Sequence, residues 1–152
     1  MIVLDTDILV LDLRFPRDSR HSSNRRFLNY VKHRIPLALT SHTLLEVIGK
    51  LSFGVKPANI SKLHLQLPHQ YGFQVLPHLT PKAAYAGCTI GEILSAIERR
   101  MALGDAINAA QIEKFVPAAD CLITWNAKHY QRKLQIPVIT PDEWWQQNQP
   151  TA

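Results

Sequence analysis

Ile2-Val3-Leu4-Asp5-Thr6-Asp7-Ile8-Leu9-Val10-Leu11 sets two carboxylates inside an otherwise almost unbroken apolar run. Taking an isolated carboxylate out of water is very costly, so acids in such a segment need partners or a cation. The run also gives the first structural reading: residues 2–4 form a buried strand, and a helix begins at Thr6 or Asp7. Asp5 then falls where the strand ends. An Asp at a helix start also accepts backbone N–H bonds and complements the helix dipole. That purely structural role fits Asp7 well and Asp5, deeper in the strand, less well.

Downstream, short apolar segments alternate with helical ones. Residues 21–33 have a helical apolar side in Phe27, Leu28, Tyr30 and Val31, after a polar turn from Arg14 to Arg20. Pro36 to Thr40 predicts a second strand, with Thr40 or Ser41 capping a helix whose Leu44, Val47, Ile48 and Leu51 keep i, i+3, i+4, i+7 spacing. A helix over 57–67 and a strand at Phe73 to Leu76 follow. Thr80-Pro81 opens a helix over roughly 81–100, weakened by Gly87 and Gly91. Gly104 to Phe115 is an alanine-rich helix, Asp120 to Trp125 a fourth strand, and 127–133 a short polar helix or turn. Pro137 to Thr140 is a fifth strand, and Pro141 starts a last helix containing Trp144 and Trp145. Trp144 and Trp145 read as packing or dimer residues. This alternation predicts an α/β domain around a parallel sheet, whose ligand site lies at the carboxyl ends of the strands.

Composition bounds the function. With 152 residues, 46% hydrophobic and 19% charged, the chain suits one well-cored globular domain, taken as 1–148 with a short tail at 149–152. Its apolar runs fall far short of the ~18–20 residues of a membrane helix. No basic stretch precedes the first apolar run, so no signal peptide is read and a cytoplasmic protein without a membrane partner is expected. Cys88 and Cys121 lack paired spacing and read as free thiols. Seventeen Lys and Arg against twelve Asp and Glu give a net charge of +5, which favours a polyanionic partner. The basic residues cluster in polar stretches, and Arg14, Arg17, Arg25 and Arg26 are candidate RNA contacts. The scarce acids Asp5, Asp7, Glu46, Asp105 and Asp120 lie instead inside or beside apolar segments.

Several of those acids fall near one sheet edge: Asp5 after strand one, Glu46 and Asp105 in the first turns of helices, and Asn126 after strand four. Thr43-Leu44-Leu45-Glu46 also fits a capping box, but an earlier cap frees Glu46 for other work. His42 lies four residues before Glu46 and can share its face. In Gly104-Asp105-Ala106-Ile107-Asn108-Ala109-Ala110, small residues allow close helix packing beside Asp105 and Asn108. Acids gathered on one edge repel unless a cation sits among them. Oxygen-only ligation suits Mg²⁺ or Mn²⁺, not zinc. Such ions serve phosphodiester chemistry by polarising phosphate and activating water.

Taken in order, these motifs resemble the PIN-domain family, and within it the VapC-type toxin ribonucleases, over nearly the whole chain. The segments are Ile2 to Leu9, Leu44-Leu45-Glu46-Val47, Leu103 to Ala110, Leu122-Ile123-Thr124-Trp125-Asn126 with Lys128-His129-Tyr130, and Pro137 to Pro141. The resemblance implies a three-layer α/β/α sandwich with a central, mainly parallel five-stranded sheet. It implies endonuclease activity on RNA, a Mg²⁺ or Mn²⁺ cofactor, a cognate antitoxin and a homodimer. By position it makes Asp5, Glu46 and Asp105 metal ligands, with Asn126 completing the catalytic set. Thr6, Asn108 and Thr124 stand behind them. The family's fourth acidic position falls on the uncharged Asn126, for which Asp7 or Asp120 are candidate substitutes. Two other readings stay open. One is a PIN-like RNA- or protein-binding module with weakened metal competence. The other is a haloacid-dehalogenase-type phosphatase, whose opening Asp5-Thr6-Asp7 also resembles.

Overall fold

In a computed structural model of the protein, residues 1–80, 82, 85 and 87–148 are described. The elements in chain order are β1 (Ile2–Leu4), α1 (Thr6–Arg14), α2 (His21–Val31), β2 (Leu37–Thr40), α3 (Ser41–Ser52), α4 (Pro57–Ile60), α5 (Leu63–Tyr71) and β3 (Phe73–Leu76). They continue with α6 (Ile90–Glu98), α7 (Leu103–Phe115), β4 (Cys121–Ile123), a 3₁₀ turn (Ala127–His129), β5 (Val138–Ile139) and α8 (Pro141–Gln147). The strands form one five-stranded sheet in the order β3-β2-β1-β4-β5, parallel at every pairing.

Strand alternation explains the layers. Ile2 and Leu4, Leu37 and Leu39, and Cys121 and Ile123 face one core, shared with Ile8, Leu9, Phe27, Leu44, Val47 and Trp144. Val3, Ala38 and Leu122 face the other, with Ala96, Ala106, Ala109, Ile112 and Tyr130. Helices α1, α2, α3, α5 and α8 therefore cover one face, and α6 and α7 the other. The small residues of α7 permit close approach: a Cβ on Gly104 would stand 3.6 Å from His42 Nε2.

The strand order reverses between β2-β1 and β1-β4, which makes the carboxyl ends of β1 and β4 the topological switch point. Everything in the candidate site is hung from those two ends and from the helices beginning beside them.

Several boundaries differ from expectation. The helix expected over 57–67 is two, α4 and α5, separated at Ser61 and Lys62; α5 runs past Pro68 and ends at Gly72, whose φ of 70° gives the left-handed stop that glycine allows. Among the described residues, the helix expected over 81–100 is present as α6. Thr89 and Glu92 form a reciprocal capping box that starts it there. Part of that expected helix, residues 81, 83, 84 and 86, lies outside the described residues, as does the tail at 149–152. Within 127–133 only Ala127–His129 is helical. Cys121 is buried and Cys88 half-buried, both free. Among the described residues, no helix is long and apolar enough to cross a membrane. Trp144 packs edge-on against Phe27 at 5.2 Å, and Trp145 against Tyr30 at 5.1 Å, so both join α8 to α2.

Candidate active site at the carboxyl end of the sheet

Asp5, not Asp7, caps α1. Its backbone is extended (φ −88°, ψ 165°), and its Oδ1 accepts the N–H of Thr6 at 2.8 Å. Oδ2 accepts the Thr124 hydroxyl at 2.8 Å across the switch point, and Asn108 Nδ2 lies 3.4 Å from Oδ1. The side chain is nonetheless buried. Burial first, and then the neighbouring Asp7, push its carboxyl up to about 7; the bonds from Thr124 and Thr6 oppose this, and Asp105 adds to it.

Asp7 lies two residues further on and does different work. Its Oδ2 accepts three bonds: the backbone N–H groups of Trp125 (2.9 Å) and Asn126 (3.1 Å), and the Thr124 hydroxyl (3.0 Å). It thereby fixes the segment leaving β4. Its Oδ1 is buried without a hydrogen-bond partner. Burial raises its carboxyl above the usual range, against the Thr124, Trp125 and Asn126 bonds and the charge of Arg20.

Glu46 leaves α3 on the exposed side and accepts the Thr6 hydroxyl at 2.5 Å. It closes no capping box; Thr40 is the cap of α3, accepting the Thr43 N–H at 3.1 Å. Asp105 lies in the first turn of α7 but is not its cap, a position held by Ala102. Asp105 Oδ1 accepts from the Tyr130 hydroxyl at 3.2 Å, and Oδ2 faces His129 Nδ1 at 3.3 Å. Asn108, buried on the next turn, ties these groups together. Its Oδ1 accepts from Thr40 and Thr43 at 2.7 and 3.0 Å, and its Nδ2 donates to the Tyr130 oxygen at 3.1 Å. His42 contacts Tyr85 through Nδ1 at 2.5 Å, while its Nε2 is buried without a partner. Burial lowers its affinity for a proton, and the charges of Glu46 and Asp105 partly restore it.

Asp5, Asp7, Glu46, Asp105 and Asn126 thus gather on one edge with Thr6, Asn108 and Thr124 behind them. Asp120 does not join them. Its carboxylate pairs with the Met1 ammonium at 2.5 Å, and its N–H bonds Met1 O, at the opposite, amino-terminal end of β1 and β4. The apolar strand β4 separates it from the site, so it supplies no charge in place of Asn126. The basic run also divides. Arg14 and Arg17 are exposed beside the site's flank, with Arg14 donating to Lys50 O. Arg25 faces Asp12 at 3.6 Å and Arg26 lies over Trp145 at 4.6 Å, on the α2–α8 side. Arg20, Lys50 and Trp125 instead line an open depression of about 370 Å³ with Asp7 and Asn126. Arg20 belongs to the basic run read from the sequence as a candidate RNA surface, whereas Lys50, Trp125 and Tyr130 were not picked out as site residues; the fold brings them there.

The donors are all hard oxygens. Among the described residues, no Lys or Arg forms an ion pair with Asp5, Glu46 or Asp105, and no three His, Cys, Asp or Glu side chains form a ready-made metal cage. Mg²⁺ needs no such cage, because it keeps several waters and takes one or two carboxylates. The orphaned Asp7 Oδ1 and the uncompensated charge at Asp5 fit a hard divalent cation.

No family model and no curated protein matches the chain, but solved structures do. The chain is similar to VapBC2 from Rickettsia felis, bound to a DNA fragment from its promoter, with 92% of this chain and 98% of that one covered at 19% identity and a TM-score of 0.62. FitAB bound to the IR36 DNA fragment matches over 93% and 95% at 20% identity, TM-score 0.60. VapC20 of Mycobacterium tuberculosis, a sarcin-ricin loop cleaving toxin, matches over 80% and 87% at 16% identity, TM-score 0.52. The fold is the PIN-domain fold in its VapC-like form.

Proposed function

We propose that this protein is a Mg²⁺- or Mn²⁺-dependent endoribonuclease, the toxin of a type II toxin–antitoxin pair. The observation that carries the reading is the buried Asp5 at the switch point, with Asp7 and Asp105 acting on it and, among the described residues, no basic side chain paired to it. Asp5, Glu46 and Asp105 are the carboxylates that hold the ion. A divalent cation there supplies charge to polarise a phosphodiester and to acidify an attacking water. The chain's own residues set the geometry. Thr124 and Asn108 orient Asp5, Thr6 orients Glu46, and Tyr130 with His129 orients Asp105. Asp7 holds the Trp125–Asn126 backbone so that the Asn126 side chain stands at the rim. The basic flank attracts the RNA backbone. Asp5 does not suit the nucleophile of a phosphatase, since hydrogen bonds orient both its oxygens inside the fold.

The similar structures include one named for cleaving the sarcin-ricin loop and two solved bound to DNA, which supports a ribonuclease with an antitoxin partner. Purified protein incubated with a mixed RNA pool and Mg²⁺ or Mn²⁺ gives discrete internal cuts. EDTA and Asp5→Asn abolish them, and p-nitrophenyl phosphate is left intact. Cleavage that survives both controls defeats the metal reading. A small reading frame of antitoxin size beside the gene, co-expressed with it, yields a stable complex, its absence counts against the toxin reading, and sedimentation of the free protein gives a dimer.

One observation favours a second reading, a binding module without strong activity: the family's fourth acid is the neutral, exposed Asn126, and no three-acid cage is preformed among the described residues. RNA binding without cleavage under every metal condition selects it.

A further inference from the structure

Trp125 takes no part in the chemistry above, yet it is held more firmly than a loop residue needs to be. Its backbone N–H is bonded to Asp7, and its indole N–H donates to Asn24 Oδ1 at 2.9 Å. Asn24 is itself fully buried and donates from Nδ2 to Ile8 O at 2.9 Å. The residue is therefore held by its backbone to the first turn of α1 and by its ring to α2. One side packs on the first core; the other lines the depression beside Asp7 and Asn126.

One cation lies over the ring, and a second lines the same depression. The Arg20 guanidinium lies 5.9 Å from the ring centroid, at the outer reach of a cation–π contact. Bidentate bonds to Asp18 at 2.9 and 2.7 Å aim it, and its side chain is solvent-exposed. Lys50 lies on the same depression. The other two tryptophans differ: Trp144 is buried against Phe27, and Trp145 is already covered by Arg26. A loop that needed only a cation–π seal would not need a buried asparagine to orient the indole.

We infer that Trp125 is a stacking platform for one unpaired nucleobase of single-stranded RNA, with Arg20 and Lys50 on the flanking phosphates, so that it sets the register of the strand across the acidic edge. This rests on the ribonuclease reading and adds a residue to it. Stacking on an aromatic ring tolerates every base. Trp125 therefore fixes where a strand lies and requires an unpaired nucleotide there, without choosing its identity.

The test is binding of a fluorescein-labelled eight-nucleotide single-stranded RNA in EDTA by wild-type protein, Trp125→Phe and Trp125→Leu. Both variants lose the indole N–H equally, so only the aromatic face separates them. Trp125→Phe keeps affinity within about threefold, while Trp125→Leu loses roughly 5- to 100-fold, the range expected of a stacked base. An abasic scan of the RNA finds one position that costs the wild type as much and costs Trp125→Leu nothing further. A second arm needs only the wild type: dihydrouridine, whose non-planar ring stacks poorly, weakens binding at that same position. Equal affinity of the Phe and Leu variants, or no position sensitive to base planarity in the wild type, overturns the inference. In either case intact RNA binding and cleavage leave the ribonuclease reading standing. Wild-type protein that binds no RNA, with or without Mg²⁺, overturns both.

Discussion

Replacing Asp5 by asparagine gives the sharpest test of how charge is held at this site. In the folded chain the Asp5 carboxyl titrates at about 7, against an ordinary 3.8. Between those values the folded state keeps a proton that the unfolded state has released. The contribution of Asp5 to metal-free stability is therefore greatest at or below about pH 4, falls as pH rises through the window from about 4 to 7, and levels off above it. About three pH units at about 1.4 kcal/mol each make this a loss of roughly 4 kcal/mol, on the order of 10 °C in Tm for a chain of this size. The Asp5→Asn substitution removes the charge while keeping the bonds: the amide oxygen accepts from Thr6 N–H, and the amide nitrogen donates to Thr124 Oγ1, which still donates to Asp7. Urea unfolding in EDTA, followed by tryptophan fluorescence from about pH 5 to pH 8, reads the difference. At about pH 5 the variant is already the more stable by roughly 1–2 kcal/mol, and the gap widens to roughly 4 kcal/mol at the alkaline end, while its nuclease activity is lost. Mg²⁺ at 100 times its Kd restores about 2.7 kcal/mol to the wild type and much less to the variant. A wild-type stability that is flat over this range, or a variant no more stable than wild type at about pH 8, would refute the reasoning.

Other expectations concern the groups behind the carboxylates. Thr124→Val removes the donor shared by Asp5 and Asp7; it costs about 1–3 kcal/mol above neutral pH and moves the Asp5 titration further up, measured by unfolding and by the pH–rate profile. Tyr130→Phe keeps the buried ring but drops the hydroxyl between Asn108 and Asp105; activity or metal affinity falls roughly 10- to 100-fold with about 1 kcal/mol of stability lost, by calorimetric titration and cleavage rate. Asp120→Asn leaves cleavage unchanged within about twofold, because its exposed pair with Met1 lies at the other end of the sheet.

The strands were legible because Ile2-Val3-Leu4, Leu37-Ala38-Leu39 and Cys121-Leu122-Ile123 are short continuous apolar runs, buried on both faces of the sheet. The convergence of Asp5 and Asp105 followed from the parallel-sheet rule, since one sits just past a strand and the other in the first turn of a helix; Glu46, expected in a first turn, lies in the second turn of α3 and meets the site through the Thr6 hydroxyl. Asp120 misled because a sequence shows that an acid touches a strand but not which end of a parallel sheet it touches until the pairing is known. Asp5 and Asp7 exchanged their expected structural role, as the helix starts at Thr6 and makes Asp5 its cap. Lys50 and Trp125 were hidden among ordinary surface residues, and Arg20 was one member of a long basic run; only the turn between α1 and α2, the end of α3 and the exit of β4 meeting at one depression gives them a common place. The helix break at Ser61 and the late start of α6 at Thr89 are local capping and turn choices that apolar spacing does not encode.

The Thr124 bonds to Asp5 and Asp7 join residues 119 and 117 positions apart. During synthesis, the first acids leave the ribosome long before the strand that orients them. Until β4 is made, β1 has a bare edge on one side and its two carboxylates have neither Thr124 nor the backbone N–H groups of Trp125 and Asn126. A nascent or truncated chain ending before residue 121 therefore carries most of the acids and none of the assembled site. The order of the strands delays the assembled site until translation is nearly complete.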